Sequence, residues 1–313
     1  MRFAEHSNDP RLQPVIARLA APTRVAVLGR DGVGRGTVAA ALAASGVTIA
    51  ADATAGDVQV VVVAEAVKPE DQAFLVDDKP SVMVLNKADL TGLGDGGPLA
   101  RAHRRAAECR ALTGVPTVPM IALLATAELD DELMRALRVL VTEPAALTST
   151  DAFVGGAHSV PLEIRHRLLA TLDRFGIASA LLALGEGADV STVLRRASQA
   201  DRVIEYIAAV AAPLRYRRLQ TAITELRSLA VLSDTEQLAD FLSTDTTVLA
   251  VMSAAVDVVE AVGVRVDRGD DAAAHLRRAV HWRHYSRGPV SALHRSCGAD
   301  IARGSLRLLG QAR

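Results

Sequence analysis

A glycine-rich stretch near the N-terminus contains the first residues whose spacing could do chemistry. "VAVLGRDGVGRGT" (Val25 to Thr37) joins a short apolar run to a helix-like segment. A strand, a glycine turn and a helix start in that order leave backbone N–H groups free to hold an anion. The spacing is close to G-x-x-x-x-G-K-[ST], the pattern of a phosphate-binding loop. The stretch therefore predicts an anion cradle that includes Gly29, Gly32 and Gly34.

Two residues that such a loop needs are replaced. Arg35 occupies the lysine position and Gly36 occupies the position of the magnesium-binding hydroxyl, while Thr37 comes one residue late. Arginine supplies charge, but its planar fork does not reproduce the geometry of a compact ammonium. The loop alone therefore leaves two interpretations open, a nucleotide site and an ordinary glycine-rich turn between a strand and a helix.

A second motif follows a valine-rich strand pattern. "VMVLNKADL" has Asn86, Lys87 and Asp89 at the end of that strand. The Asp89 carboxylate can accept hydrogen bonds from the ring N–H and the exocyclic amine of guanine at once, a pair that adenine does not offer. The aliphatic stem of Lys87 can lie along a base, and Asn86 can join the base edge to neighbouring loops. The segment resembles N-K-x-D, the guanine-recognition signature of the GTPase superfamily, and this resemblance implies a guanine site.

In this order the two motifs resemble those of the P-loop GTPase superfamily. The similarity covers about residues 24–141 and is closest to the Era-like and bacterial dynamin-like members of the translation-factor-like class. It implies a P-loop GTPase-like parallel sheet and GTP or GDP as the ligand. It also implies a base-contacting loop at Ile121, Ala122 and Leu123, in which the backbone N–H of Ala122 donates to the guanine oxygen.

The parts that such proteins use for hydrolysis are missing from the pattern. Only "GVTIAADATAG" separates the first helix from the central strand, where the family has two switch regions. Asp52 and Asp57 could be nominated for the D-x-x-G motif, but Ala55 and Val60 stand where its glycine belongs. Phosphoryl transfer needs a metal, its ligands and a positioned water. We therefore expect neither bound Mg²⁺ nor efficient hydrolysis, and we assign no catalytic residue and no metal ligand.

Apolar runs and amphipathic helices alternate from residue 24 to residue 145. This alternation predicts an α/β fold with a parallel sheet covered on both faces. Strands are expected in "RVAVLG", "VTIAAD", "DVQVVVVAE", "SVMVLNK" and "VPTVPMIAL", and helices in "RGTVAAALAAS", "KPEDQAFLVDD", "PLARAHRRAAECRAL" and "DDELMRALRVL".

Beyond residue 145 the period is helical almost throughout, which predicts an all-helical domain. Helices are expected over 161–184, 191–198, 201–231, 235–263, 270–286 and 289–310, with Pro213 kinking or splitting the third. The resulting organisation is a lead-in over 1–23, a degenerate GTPase-like domain over 24–145, a linker over 146–160 and a helical domain over 161–313.

The composition of the chain indicates its cellular compartment and its partners. The net charge of −1 gives no case for nucleic acid, and two isolated cysteines, Cys109 and Cys297, suit a reducing compartment. We expect a cytoplasmic protein without a signal peptide or a transmembrane helix. Residues 265–313 hold ten arginines against four aspartates. That basic segment could contact an anionic membrane, peripherally, or an acidic partner, or it could be a solvated helical face.

Three functions remain open from the sequence. The first is a guanine-nucleotide-binding protein without switches, which acts through its helical domain as a regulatory or assembly partner of an intact GTPase. The second is an active, dynamin-like and membrane-associated GTPase whose missing groups come from elsewhere in the chain or from a partner. The third is an interaction scaffold with an empty pocket.

Overall fold

The computed structural model describes residues 10–75, 79–92, 95–233 and 236–312. It is an α/β protein with a five-stranded, all-parallel sheet and a helical C-terminal region, which confirms the predicted fold class at that level. Several predicted features extend past the described residues. Residues 1–9 of the lead-in, 76–78 of the predicted helix "KPEDQAFLVDD", 235 of the helix 235–263 and 313 of the basic segment lie outside them.

The sheet brings the loops of both motifs to one edge. Its strands are β1 (Arg24–Leu28), β2 (Thr48–Ile49), β3 (Val58–Ala64), β4 (Ser81–Asn86) and β5 (Thr117–Pro119), in the order β2-β1-β3-β4-β5. After β1 the chain moves to one side of the sheet, and after β3 it moves to the other. Neighbouring strands β1 and β3 therefore form a topological switch point, where ligands bind at the carboxyl ends of the strands. The glycine loop begins at this point.

The valine-rich strand patterns fold as central strands because both of their faces are covered. Six of the seven residues of β3, Gln59 included, are buried. Register pairs Leu28 of β1 with Val61 of β3, and Ala64 of β3 with Asn86 of β4. Asn86 of β4 therefore lies level with the end of β3. Strand β3 separates β4 from β1, the strand that leads into the glycine loop.

Helices account for most of the remaining chain. Those of the first two-thirds are α1 (Gln13–Ala20), α2 (Arg35–Ala44), α3 (Pro69–Gln72), α4 (Gly97–Thr113), α5 (Ala122–Ala125), α6 (Asp131–Thr142), α7 (Thr150–Gly155), α8 (Leu162–Gly185) and α9 (Val190–Ser198). They are followed by α10 (Ala200–Ser233), α11 (Glu236–Ser243), α12 (Asp245–Ala261), α13 (Ala272–Tyr285) and α14 (Ala292–Gln311). Short 3₁₀ turns cover Ala73–Leu75 and Ala88–Thr91.

Several elements differ from their predictions. Of "VTIAAD" only Thr48–Ile49 is strand, and the described part of the helix "KPEDQAFLVDD" is α-helical only over Pro69–Gln72. In "VPTVPMIAL" only Thr117–Pro119 is strand, and a helical turn begins at Ala122, so the base-contacting loop starts a helix. Helix α10 continues through Pro213, so the helix is not split there. The predicted helix 235–263 divides at Thr244, whose hydroxyl caps α12 by accepting the N–H of Thr247.

The chain forms two compact units. One is Thr23–Ile207, and the other combines the described parts of Met1–Pro22 and Ala208–Arg313. Helices α7, α8 and α9 therefore belong to the same unit as the sheet. Within it, the fully buried Phe153 of α7 packs in one core cluster with Leu168 and Leu172 of α8 and Ile121 of the base-contacting loop. Residues 146–160, expected as a linker, thus contain a helix that packs within this unit.

Two arrangements of helices are apolar enough, by length and composition, to span a membrane. Helix α8 is one, and α11 with α12 passes the same test as a pair with a bend of 47° between Gln237–Ser243 and Asp245–Ala261. In its unit α8 buries Leu168, Leu172 and Ile177 completely. The buried core helix of a protein outside the membrane can have the same length and apolar composition.

Candidate functional site

The glycine loop runs from the end of β1 to the start of α2, along the neighbouring strand β3. Gly29 has φ 147°, and a Cβ there would lie 2.6 Å from the carbonyl oxygen of Val62 in β3. Gly34 has φ 84°, and a Cβ there would collide with the amide nitrogen of Asn86. A side chain at either position would separate the loop from the strands beside it. These two glycines therefore hold the loop against β3 and β4.

The first turn of α2 offers backbone donors. Val38 makes the first bond of the helix, to the Gly34 carbonyl at 3.0 Å, so the N–H groups of Arg35, Gly36 and Thr37 precede the helical ladder. Gly36 is exposed, with open space where a Cβ would be. The Arg35 guanidinium turns back over the loop and donates to the Gly29 carbonyl at 3.2 Å. Arg35 thus lies across the loop, as a charge for a bound anion would.

The guanine-type motif is hydrogen-bonded to the glycine loop. Asn86 is buried, and its Nδ2 donates to the Val33 carbonyl at 3.0 Å. Lys87 has a left-handed backbone, φ 56°, and its Nζ donates to the Gly32 carbonyl at 2.9 Å. The structure therefore brings together two motifs that are more than fifty residues apart in the sequence, and the stem of Lys87 extends towards the loop.

Asp89 is half-buried next to these contacts. Within the described chain, no other residue donates a hydrogen bond to its carboxylate. Burial raises the pKa of Asp89 above its usual value; the Asp173 carboxylate of α8 adds to the rise, while its own backbone N–H, Lys87 and Arg174 oppose it. A carboxylate that is partly desolvated without a strong partner is available for a ligand with two N–H donors.

The base-contacting loop uses its donors differently from the prediction. The backbone N–H of Ala122 donates to Oδ1 of Asn86 at 3.1 Å, and the N–H of Ile121 donates to the Ser198 carbonyl at 3.0 Å. Leu123 follows at the second position of α5 and is half-buried. The N–H of Leu123 meets no acceptor among the described residues.

The residues nominated for the D-x-x-G motif have structural contacts instead. Asp52 accepts bonds from the Thr54 hydroxyl and from the N–H groups of Thr54 and Ala55, closing a turn after β2. Asp57 accepts the N–H of Arg24 and directly precedes β3. It therefore lies at the amino ends of the strands, whereas the glycine loop lies at their carboxyl ends. The span 45–57 contains no secondary structure other than the two-residue β2.

Charges that the sequence did not single out surround the glycine loop. Arg30 donates from Nε to the fully buried Asp71 of α3 at 2.9 Å, and Asp71 also accepts the Lys68 N–H. This pair anchors the loop to the chain after β3. Asp31 is exposed in the same loop. Asp31 and Arg35 thus give this loop one negative and one positive side chain.

A recess of about 500 Å³ opens beside the guanine-type motif. Its walls come from the loops after β3 and β4 and from α4: Glu65, Leu90, Thr91, Arg101, Arg104, Arg105 and Glu108. Arg105 bonds to the Glu65 carbonyl and to Glu108. None of the predicted site residues lines it.

The basic C-terminal segment has many of its arginines in internal contacts. Arg268 pairs with Glu260, Arg303 with Asp300 and Arg307 with Asp245. Arg278 is buried and bonds to the Asp267 and Gly269 carbonyls. Much of the local positive charge is thereby compensated within the unit. The described residues contain no group of three or more His, Cys, Asp or Glu suited to a metal.

Comparison with known proteins gives no match: no protein-family model, no curated protein and no solved structure is significantly similar to this chain. The function is therefore argued from the geometry of the site.

Proposed function

We propose that this protein binds a guanine nucleotide between the glycine loop and the Asn86–Asp89 segment and does not hydrolyse it efficiently. The observation that supports this most is the pair of bonds from Asn86 to Val33 and from Lys87 to Gly32. They join an anion cradle to a base-reading loop at the carboxyl edge of a parallel sheet. A P-loop GTPase-like fold that has lost its switches accounts for that combination.

Each part of the nucleotide has a counterpart in this proposal. The phosphates meet the free N–H groups of Arg35, Gly36 and Thr37 and the Arg35 guanidinium. The base lies along the stem of Lys87, with its ring N–H and amine on Asp89 and its oxygen near Leu123. The residues that the usual hydrolysis would need do not fill their positions. Gly36 has no hydroxyl to bind a metal, and Asp52 and Asp57 accept other hydrogen bonds.

The decisive experiment is a titration of the full chain with a fluorescent GDP analogue, with and without Mg²⁺, using ATP, GDP and GTP as competitors. We expect guanine-selective binding that does not depend on Mg²⁺. Asp89→Asn should remove the selectivity, because an amide offers one acceptor and a misplaced donor. Asp151→Asn, an exposed aspartate in α7, is the matched control. Phosphate release that disappears in Arg35→Ala would support an active GTPase, and no binding of any nucleotide would leave a scaffold.

A nucleotide-binding protein without hydrolysis acts through what it contacts, so we propose a regulatory or assembly role. An intact GTPase is the proposed partner, by analogy with proteins in which such a degenerate core is paired with an active one. Peripheral contact of the basic segment with anionic membrane is a separate proposal. Sedimentation with anionic liposomes should then occur and should weaken with salt; binding to neutral liposomes alone would contradict it.

A further inference from the structure

Helix α8 contains a strained residue beside the proposed base site. Asp173 has φ 53° and ψ 178° in the middle of the helix, a strained conformation that residues with a Cβ rarely adopt. Its side chain accepts the N–H of Arg174 at 2.6 Å, and the Arg174 guanidinium donates to the Thr148 carbonyl at 2.6 Å. Both bonds involve Arg174, which fixes the chain directly after the kink.

The kinked part of α8 packs directly on the base-contacting loop. A Cβ on Gly176 would lie 2.5 Å from Cδ2 of Leu124, so α8 and α5 approach as closely as a glycine allows. The loop is also tied to the end of α9 by the bond from Ile121 to Ser198. The negative charge of the Asp173 carboxylate adds to the burial that raises the pKa of Asp89. Strain, close packing and like charges therefore meet at the base end of the site.

We propose that the kinked segment of α8 around Asp173 senses the guanine base, and so takes the part that the missing switches would play. The proposal rests on the proposed nucleotide site. A bound guanine brings two N–H donors to Asp89 and offsets the repulsion from Asp173, so the occupied site favours the kinked, closely packed arrangement of α8. By reciprocity, whatever holds α8 in that arrangement strengthens guanine binding.

This mechanism differs from a GTPase switch in the part of the nucleotide to which it responds. A switch responds to the γ-phosphate, whereas the kinked segment of α8 packs against the loop proposed to hold the base. GTP, GDP and GMP should therefore produce the same change in α8. Since α9 leads directly into α10, the change would reach the longest helix of the chain through the Ile121–Ser198 bond.

Hydrogen exchange of the full chain, read over residues 168–178 with saturating nucleotide, tests the proposal. We expect exchange to slow severalfold with GDP, and equally with GTP and GMP. Asp173→Asn should still bind GDP, within tenfold of the wild-type affinity, but should lose at least half of this slowing. Asp151→Asn should behave as wild type. If Asp173→Asn fails to fold, Asp173→Gly removes the same carboxylate and adopts φ 53° without strain.

Two results would overturn the proposal while the nucleotide site survived. One is guanine-selective binding that leaves the exchange of 168–178 unchanged, and the other is slowing by GTP alone. Absence of all nucleotide binding would overturn both this inference and the proposed function, and titration of the wild type separates that case before any exchange is measured.

Discussion

The side-chain amide of Asn86 donates to the main-chain carbonyl of Val33 at 3.0 Å, although 53 positions separate them in the sequence. The same side chain accepts the N–H of Ala122 at 3.1 Å. One buried residue therefore joins the three loops that would contact a nucleotide. This role is structural as much as ligand-directed, because it fixes the distances between the loops before anything binds.

Replacing Asn86 by alanine should destabilise the protein. Two main-chain groups, the Val33 carbonyl and the Ala122 N–H, would lose their partners in a buried place, which costs about 1–3 kcal/mol per group. Urea unfolding followed by circular dichroism should show a lower midpoint. Gln72→Ala, an exposed amide in α3, should change stability by less than about 0.5 kcal/mol. Equal midpoints for the two variants would contradict the role of Asn86.

The affinity for GDP should decrease as the pH is lowered from neutral. The base needs the ionised form of Asp89, and burial together with Asp173 raises the pKa of Asp89, against the opposing effects of its backbone N–H, Lys87 and Arg174. Stabilisation by the ionised carboxylate is full above the raised pKa and is lost as the pH falls through it. GDP binding by the wild type, measured from about pH 7.5 downwards for as long as circular dichroism shows a folded chain, should weaken as the pH falls through the raised pKa of Asp89. A weaker but pH-independent affinity is expected for Asp89→Asn; parallel slopes would exclude Asp89.

Both cysteines should be unreactive in the folded protein. Burial raises the pKa of Cys297 to about 12, and burial also raises the pKa of Cys109 above its usual value. Neither thiol should react with a disulfide reagent at pH 8 until urea unfolds the chain. An added surface thiol, Ser296→Cys, should react at once because position 296 is exposed. Modification of the folded wild type at a similar rate would show that these sites open.

The sequence predicts the parallel sheet, for a physical reason. Val-rich runs such as "VQVVVV" are buried on both faces, and parallel strands put their carboxyl ends at one edge. Asn86 and the glycine loop must then be neighbours. Two helix starts are missed although a local signal marks each: Ser149 and Thr244 cap α7 and α12 with their hydroxyls, where the sequence pattern predicts a linker and an unbroken helix.

The contacts that depend on distant packing could not be predicted in this way. Residues 146–160 look like a linker by composition, yet Phe153 is fully buried and Arg165 binds the Phe153 and Gly156 carbonyls. The kink at Asp173 has no local signal, since a uniform helical pattern runs through it. The use of the Ala122 N–H by Asn86 likewise depends on how β4 and β5 align. Periodicity reports which face is buried, but not what buries it.

Removing the negative charge of the glycine loop should strengthen phosphate binding alone. Asp31 is exposed and lies in the loop that would hold the phosphates. Asp31→Ala should tighten GDP by roughly threefold to tenfold, the range that a screened charge near an exposed site gives. Guanosine, which has no phosphate, should bind the variant and the wild type equally. The gain should shrink in high salt; tighter binding of guanosine too would place the effect at the base.

Restoring the standard loop residues should restore magnesium dependence but not hydrolysis. Arg35→Lys together with Gly36→Ser supplies the compact ammonium and the hydroxyl that the loop lacks. Position 36 has open space for the new side chain, so the exchange should fold. GDP binding by the double variant should strengthen when Mg²⁺ is added, whereas the wild type should not respond.

Hydrolysis should remain absent in the same variant, because 45–57 holds only β2 and the turn that Asp52 closes. No residue there positions a water or orders around a γ-phosphate. Phosphate release under single-turnover conditions measures this directly, with Gly36→Ala as the control that fills the position without a hydroxyl. Release well above that control would mean that the chain holds a hydrolytic group outside 45–57, and the protein would then be an enzyme impaired only at its loop.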